Sequence, residues 1–291
     1  MKKGIALFCC LVMLVSMISV PALAEEKTTY YRLYEAEAST LNYLKATTQV
    51  DQTIPANVID TLVEYDTYGN VIPGLATEWT VSQDGLVWTL TLRQGEKWLD
   101  YQGNEVAQVT AHDFVSSAKY VLNPAYESDL SNQLYFIKNA QAYYNGLKNK
   151  LIAEGTIELE EGEETEEGES ISFEEVGVKA LDDYTLEYTL EKPTPYFLSA
   201  LTYVCFMPAY GPLLEELGTE FGASDNSKLY YCGAYYLSEF EPQVKNIYTK
   251  NEKNWDADQT YIDEVVRMYN PETLTLDPTM ALRGEVDYAL I

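Results

Sequence analysis

Two stretches of alternating apolar and polar residues constrain the fold of this chain more than any other feature. Residues 76–81 and 86–93 read as extended segments on either side of the turn Ser82-Gln83-Asp84-Gly85. In the second segment Leu86, Trp88, Leu90 and Leu92 fall on one side. A period of two is that of a strand with one buried face, so we predict a hairpin over 76–93. The same logic predicts a second hairpin from 176–180 and 185–190.

Helical signals lie between and after these hairpins. Thr110 can cap a helix while Asp113 reaches back to it, and an apolar stripe follows as far as Pro124. A shorter helix is predicted over residues 212–217, opened by proline and stopped by Gly218. Strands and helices interleave without a strict repeat, so the predicted fold class is mixed α/β.

The amino terminus has the pattern of an export signal. Lys2 and Lys3 precede an apolar core over residues 5–20, and Ala22-Leu23-Ala24 supplies the small residues of a cleavage site, which predicts cleavage between Ala24 and Glu25. An uncleaved signal anchor is the alternative. No later segment has the roughly 20 continuous apolar residues of a membrane span. We therefore expect the mature protein to work outside the cytoplasm.

Charge and cysteine content limit the partners. The formal net charge is -27, which disfavours nucleic acid and anionic lipid because both are bound through positive charge. Only Cys205 and Cys232 follow the signal. An oxidising exterior permits a disulfide between them, and two separate buried thiols are the alternative.

An acidic run interrupts the apolar pattern. Nine of the sixteen residues from Glu154 to Glu169 are glutamate. Like charges at this density repel, so we predict a solvated loop. A cation-binding loop is the alternative, although the spaced ligands and central glycine of such loops are missing.

The motifs of known enzymes are missing as well. His112, the single histidine, follows the cap Thr110 and has no serine or cysteine nucleophile motif beside it. We predict a surface position for His112 and no enzymatic activity. The many carboxylates leave an extracellular hydrolase as an alternative. No sequence pattern indicates a metal or another cofactor.

Several ordered blocks resemble one family, the oligopeptide and dipeptide-binding proteins of ABC importers, solute-binding protein family 5. The first four blocks are residues 71–79, 84–88, 92–98 and 110–114. The later blocks are residues 177–186, 195–197, 233–237, 250–256 and 284–287. The likeness covers almost all of the chain after the signal and corresponds to the amino-terminal portion of such proteins.

The resemblance implies a periplasmic-binding-protein-like architecture. Residues 25–60 and 209–291 are expected to form the base domain, and residues 61–208 an inserted peripheral domain that contains the acidic loop. From this resemblance we expect the sequence to lack the second lobe of the family. Since the family binds its ligand between two lobes, we expect one wall of the site here and only weak binding by the 291-residue form.

The resemblance also implies a receptor that captures oligopeptides and delivers them to a permease in the membrane. A nickel chelate or an oligosaccharide is the alternative ligand. Extended peptides are bound generically through main-chain hydrogen bonds at an exposed edge. By resemblance, the predicted ligand-binding residues are Thr47, Thr48, Gln49, Cys232, Gly233, Ala234 and Tyr235. An ordinary surface loop is an equally supported alternative for residues 47–49. For Tyr235 the equally supported alternative is a position in the core.

Overall fold

The structure is a computed structural model that describes residues 27–159 and 171–289. The predicted signal, with its cleavage site at Ala24 and Glu25, and most of the acidic run lie outside these residues. The strands are β1 (Thr29–Tyr34), β2 (Val63–Tyr65), β3 (Val71–Pro73), β4 (Ala76–Val81), β5 (Val87–Leu92), β6 (Lys97–Leu99), β7 (Glu105–Gln108), β8 (Val178–Asp182), β9 (Thr185–Thr189), β10 (Tyr235–Glu241), β11 (Lys245–Lys250) and β12 (Glu264–Tyr269). The helices are α1 (Gln49–Gln52), α2 (Pro55–Val58), α3 (Ala111–Val121), α4 (Ala140–Ala153), α5 (Phe197–Ala200), α6 (Gly211–Leu217) and α7 (Thr273–Leu282).

One four-stranded sheet joins the two ends of the described chain. Its strand order is β1-β12-β11-β10. β1 pairs with β12 in parallel, from Thr29 opposite Glu264 to Tyr34 opposite Tyr269, and the other neighbours are antiparallel. The outer side of β1 is occupied near Tyr31, whose N–H donates to Asp287 Oδ2 at 2.8 Å. The first strand is therefore held between two late segments of the sequence.

A second four-stranded sheet contains both predicted hairpins, which are confirmed. β4 pairs with β5 and β8 pairs with β9, each in antiparallel register. The two hairpins are joined by pairing of β5 with β9, from Val87 opposite Thr189 to Thr91 opposite Thr185. This long-range pairing makes one sheet with the order β4-β5-β9-β8.

The predicted helix after Thr110 is confirmed as α3, and its first turn is fixed by a buried carboxylate. Asp113 Oδ2 accepts the Thr110 N–H at 2.8 Å and the Trp98 Nε1–H at 3.1 Å. Trp98 is fully buried, and Asp113 is 4% exposed. The predicted short helix is confirmed as α6, and Gly218, where it ends, has a positive φ of 52°. Asp113 thus joins α3 to β6.

The apolar side chains form a continuous core beneath both sheets. Trp98 lies wholly inside it, whereas Trp79 and Trp88 are only partly buried and pack against it. The Trp88 ring lies 5.3 Å from that of Phe197. Trp88, which the alternation places on the apolar side of its strand, is therefore buried only in part.

Cys205 and Cys232 are free thiols and both are buried, so the disulfide alternative is wrong. Burial raises the pKa of the Cys205 thiol to about 12. No helix within residues 27–159 and 171–289 is long and apolar enough to cross a membrane. The division into a base domain and an inserted domain stays a prediction.

Candidate ligand-binding site

A buried carboxylate, Asp51, ties two short segments of the chain together. Asp51 Oδ1 accepts the Ser39 N–H at 2.6 Å and the Ser39 hydroxyl at 3.0 Å, while Oδ2 accepts the Thr48 hydroxyl at 2.6 Å. Burial would raise the pKa of Asp51, but the hydrogen bonds from Thr48 and Ser39 outweigh it and lower the pKa below its usual value. Asp51 is therefore ionised at neutral pH and fixes both segments.

Unpaired main chain lies on either side of this carboxylate. The peptide groups of residues 36–38 and of Thr47 make no hydrogen bond to other described residues. Thr47, Thr48 and Gln49 are exposed, and Thr48 caps α1. Backbone groups without an intrachain partner need water or a ligand as their partner. These segments therefore offer donors and acceptors to an extended molecule.

Charged side chains of both signs adjoin this main chain. Glu37 Oε2 accepts the Tyr34 hydroxyl at 3.1 Å and the Gln243 N–H at 2.7 Å, whereas Glu37 Oε1 is buried without a partner among the described residues. Arg32 and Arg267 are neighbours across β1 and β12. The Nε atoms of both arginines are likewise buried and unpaired within the described chain. A buried water would satisfy these atoms.

Two tyrosines, Tyr34 and Tyr248, contact Arg267, and the pKa of Tyr34 is raised by its surroundings. The Arg267 guanidinium lies 4.9 Å from the centre of the Tyr34 ring, and its Nη1 donates to Tyr248 Oη at 3.1 Å. Burial, followed by the charge of Glu37, raises the pKa of Tyr34 well above its usual value. Tyr34 thus remains a neutral hydrogen-bond donor to Glu37 at physiological pH.

The main chain of residues 232–234 has intrachain partners, unlike that of Thr47. The N–H groups of Cys232 and Gly233 donate to the Val58 carbonyl at 3.1 Å and 2.9 Å. The Gly233 carbonyl accepts from Asn251 Nδ2 at 3.0 Å, and the Ala234 carbonyl from the Asn251 N–H at 2.8 Å. The close approach that glycine permits is used here by the end of α2.

Tyr235 is half-buried, and its hydroxyl donates to the Ile262 carbonyl at 3.0 Å. No hydrogen bond among the described residues joins 232–235 directly to 47–49, and the two segments are connected through α1 and α2. A ligand-binding role for either segment stays a prediction.

His112 is on the surface, as predicted, where its Nε2 lies 3.5 Å from Asp183 Oδ1. Its side chain is 62% exposed. Among the residues that the structure describes, no group of three or more His, Cys, Asp or Glu side chains could hold a metal ion.

Sequence reasoning missed residues 36–38 and the charged groups beside them. One local signal was present, because Thr48 and Asp51 have the spacing of a helix capping box. Nothing in the sequence around Arg32 or Glu37 indicates that β12 and the β10–β11 turn would lie next to them.

The chain matches known proteins in sequence. The family model described as bacterial extracellular solute-binding proteins, family 5 Middle, matches residues 70–291. The oligopeptide-binding protein AliB of Streptococcus pneumoniae is 36% identical over 241 residues, which are 83% of this chain and 33% of that protein. The periplasmic murein peptide-binding protein MppA of Escherichia coli is 30% identical over 298 residues, covering 99% of this chain and 49% of the relative.

Solved structures show the same fold. The substrate-binding domain of an oligopeptide ABC transporter from Bacillus anthracis superposes with a TM-score of 0.76 and 26% identity, covering 92% of this chain and 46% of that one. The chain spans about a third to a half of the length of the relatives it matches. The resemblance and the fold class predicted from the sequence blocks are confirmed for this portion. The chain belongs to the bacterial extracellular solute-binding proteins of family 5.

Proposed function

We propose that this protein is the exported substrate-binding component of an ABC importer and that it captures oligopeptides for delivery to a membrane permease. The observation that carries the proposal is the unpaired main chain at residues 36–38, next to the exposed Thr47. Main-chain hydrogen bonds hold a peptide without reading its side chains, which suits a receptor for varied sequences. The relatives named as oligopeptide-binding proteins support the same ligand class.

Charged groups of both signs lie beside that main chain, and peptides carry an ammonium at one end and a carboxylate at the other. The unpaired atoms of Glu37, Arg32 and Arg267 are buried, so these side chains act on a peptide through their charge and not through a direct hydrogen bond. Binding needs no catalytic group. The family and the predicted signal, with cleavage between Ala24 and Glu25, support an extracytoplasmic location.

The test is calorimetric titration of the purified protein with mixed tripeptides to pentapeptides, compared with the Ala38→Pro variant. Proline removes the Ala38 N–H, so a peptide carbonyl bound there loses its donor, and we expect affinity to fall about tenfold, equivalent to one unmet hydrogen bond. The Ala38→Ser variant keeps the N–H and serves as the matched control, with affinity close to that of the wild type. Thermal unfolding checks that both variants fold.

Three outcomes would contradict this proposal. One is heat from an oligosaccharide or a nickel chelate with none from any peptide. Another is release of cleaved product from the peptides, which would indicate a hydrolase. Equal affinities for Ala38→Pro and Ala38→Ser would show that the main chain of this segment is not the peptide edge.

A further inference from the structure

A cluster of carboxyl groups lies where the start of β2 and the β5–β6 turn meet the loop after β11. Asp60, Glu64 and Glu96 come from the first two segments, and Asp256 comes from the loop. Glu96 is only 6% exposed, while Asp60 and Glu64 are half-buried. Neither the sequence patterns nor the proposed peptide site explains why four carboxyl groups lie close together here.

Hydrogen bonds fasten this cluster across a long separation in the sequence. Asp60 Oδ2 accepts Asn254 Nδ2–H at 2.8 Å and Trp255 Nε1–H at 2.9 Å, and the first of these pairs is 194 residues apart. Asn254 Nδ2 also lies 3.3 Å from the Cys232 carbonyl. The Asp60 carboxyl is thus the point at which the loop after β11 is attached to the chain preceding β2.

Arg93 is the cation of this cluster. Its guanidinium lies 4.2 Å from the centre of the Trp255 ring, and its Nε and Nη2 both donate to the Gly74 carbonyl at 3.3 Å. Lys97 follows Glu96 in the sequence and Lys253 precedes Asn254, but both lysines pair with Glu105 and not with the cluster. If every carboxyl were ionised, four negative charges would therefore face one guanidinium.

The pKa values of Asp60, Glu64 and Glu96 are raised by their surroundings. Burial raises the pKa of Asp60 to about 6, against the lowering effect of its bonds to Asn254 and Trp255. Burial, then the charges of Asp60 and Asp256, raise the pKa of Glu64 to about 7, although Arg93 lowers it. Burial also raises the pKa of Glu96. The Cys232 thiol faces the same carboxylates, and burial raises its pKa, so it stays neutral.

We propose that this cluster is a proton-dependent latch that holds the loop 254–256 against the segments 60–64 and 93–96. While the cluster retains a proton, the repulsion among its carboxyl groups is limited and the contacts of Trp255 hold. When the last carboxyl ionises, repulsion and the desolvation of the extra charge weaken these contacts. The loop then opens more readily in alkaline than in mildly acidic solution.

The direction in which pH changes folding stability follows from the number of protons bound by the folded and the unfolded states. Because the pKa values of Asp60 and Glu64 are raised in the folded protein, the folded state binds more protons than the unfolded state near neutrality. Their contribution to stability is present below the unfolded pKa values and is lost as pH rises through about 6 and about 7. Stability should therefore decline between pH 5.5 and 8.5.

Two measurements on the full chain test the latch: Tm between pH 5.5 and 8.5, and hydrogen exchange of the segment 250–260 over the same range. For the wild type we expect Tm to fall by about 3 to 10 °C. We also expect the protection factors of this segment, which are corrected for the intrinsic acceleration of amide exchange with pH, to be lower at high pH. Glu64→Gln and, separately, Glu96→Gln place a neutral isostere in the cluster. Each should flatten the pH dependence of Tm and slow exchange of this segment at pH 8.5.

The matched control is Glu78→Gln, at an exposed position of β4 with no part in the cluster. It corrects for the change in net charge and should keep the wild-type pH profile. A wild-type Tm that is constant or rises from pH 5.5 to 8.5 would overturn the proposal. So would profiles for both Glu64→Gln and Glu96→Gln that run parallel to that of Glu78→Gln.

Discussion

The substitution Gly233→Ala separates two explanations for a glycine beside the predicted cleft. A Cβ at this position would lie 2.6 Å from the Val58 carbonyl carbon, 2.7 Å from the Ile59 nitrogen and 3.0 Å from Val58 Cα. All three atoms belong to the backbone at the end of α2. They cannot move aside as a flexible side chain can, so residues 232–234 must shift away from α2.

The expected loss has two parts. Overpacking against a rigid neighbour costs about 1 to 3 kcal/mol. The shift also lengthens the bonds that the N–H groups of Cys232 and Gly233 make to the Val58 carbonyl, each worth about 1 kcal/mol. We therefore expect the free energy of unfolding to fall by about 3 kcal/mol and Tm by about 6 to 12 °C.

Urea unfolding followed by circular dichroism measures this difference. Gly69→Ala is the control, because Gly69 has a positive φ of 81° and no atom within 4 Å of the added Cβ. It should lose only the conformational term of about 1 to 2 kcal/mol. If Gly233→Ala instead leaves the free energy of unfolding unchanged and weakens peptide binding, the glycine serves a ligand and the packing argument is refuted.

Two further predictions concern buried groups of the fold. Asp113→Ala should lower the free energy of unfolding by about 3 kcal/mol, because it removes the cap of α3 and leaves the buried Trp98 N–H without an acceptor. Asp113→Asn, which keeps an oxygen acceptor, should lose less in the same urea titration, and a loss below about 1 kcal/mol for alanine would contradict this role of the carboxylate. Cys205 and Cys232, which are 2% and 1% exposed and whose thiol pKa values are raised by burial, should resist a thiol reagent in the native protein. Both should react in guanidinium chloride, as counted by mass spectrometry, and labelling of either residue under native conditions would disprove their inaccessibility.

Local sequence signals predicted the elements whose causes are local. The alternation around Leu90 is enough to specify a hairpin, and Thr110 with Asp113 is enough to begin a helix. The pairing of β5 with β9 was not predictable in this way. Alternation indicates which face of a strand is buried, but it does not name the partner strand when almost a hundred residues lie between.

The candidate site was predictable only in part for the same reason. Thr47 was reached through the family resemblance, and its neighbour Thr48 carries a local capping signal with Asp51. The unpaired main chain of residues 36–38 could not be predicted from the sequence, because its position depends on the contact between Ser39 and Asp51 in the folded chain. The proposed carboxyl latch could not be predicted from local sequence signals, because Asp60 and Trp255 are far apart in the sequence and meet only in the folded chain.

The parallel pairing of β1 with β12 has a consequence for the order of folding. A chain that emerges amino terminus first presents Thr29–Tyr34 long before Glu264–Tyr269, its hydrogen-bonding partner, exists. Contacts this distant in sequence form slowly, because the loop between them must be closed first. We therefore expect β1 to stay unpaired while the local hairpins form, and the sheet β1-β12-β11-β10 to be completed late.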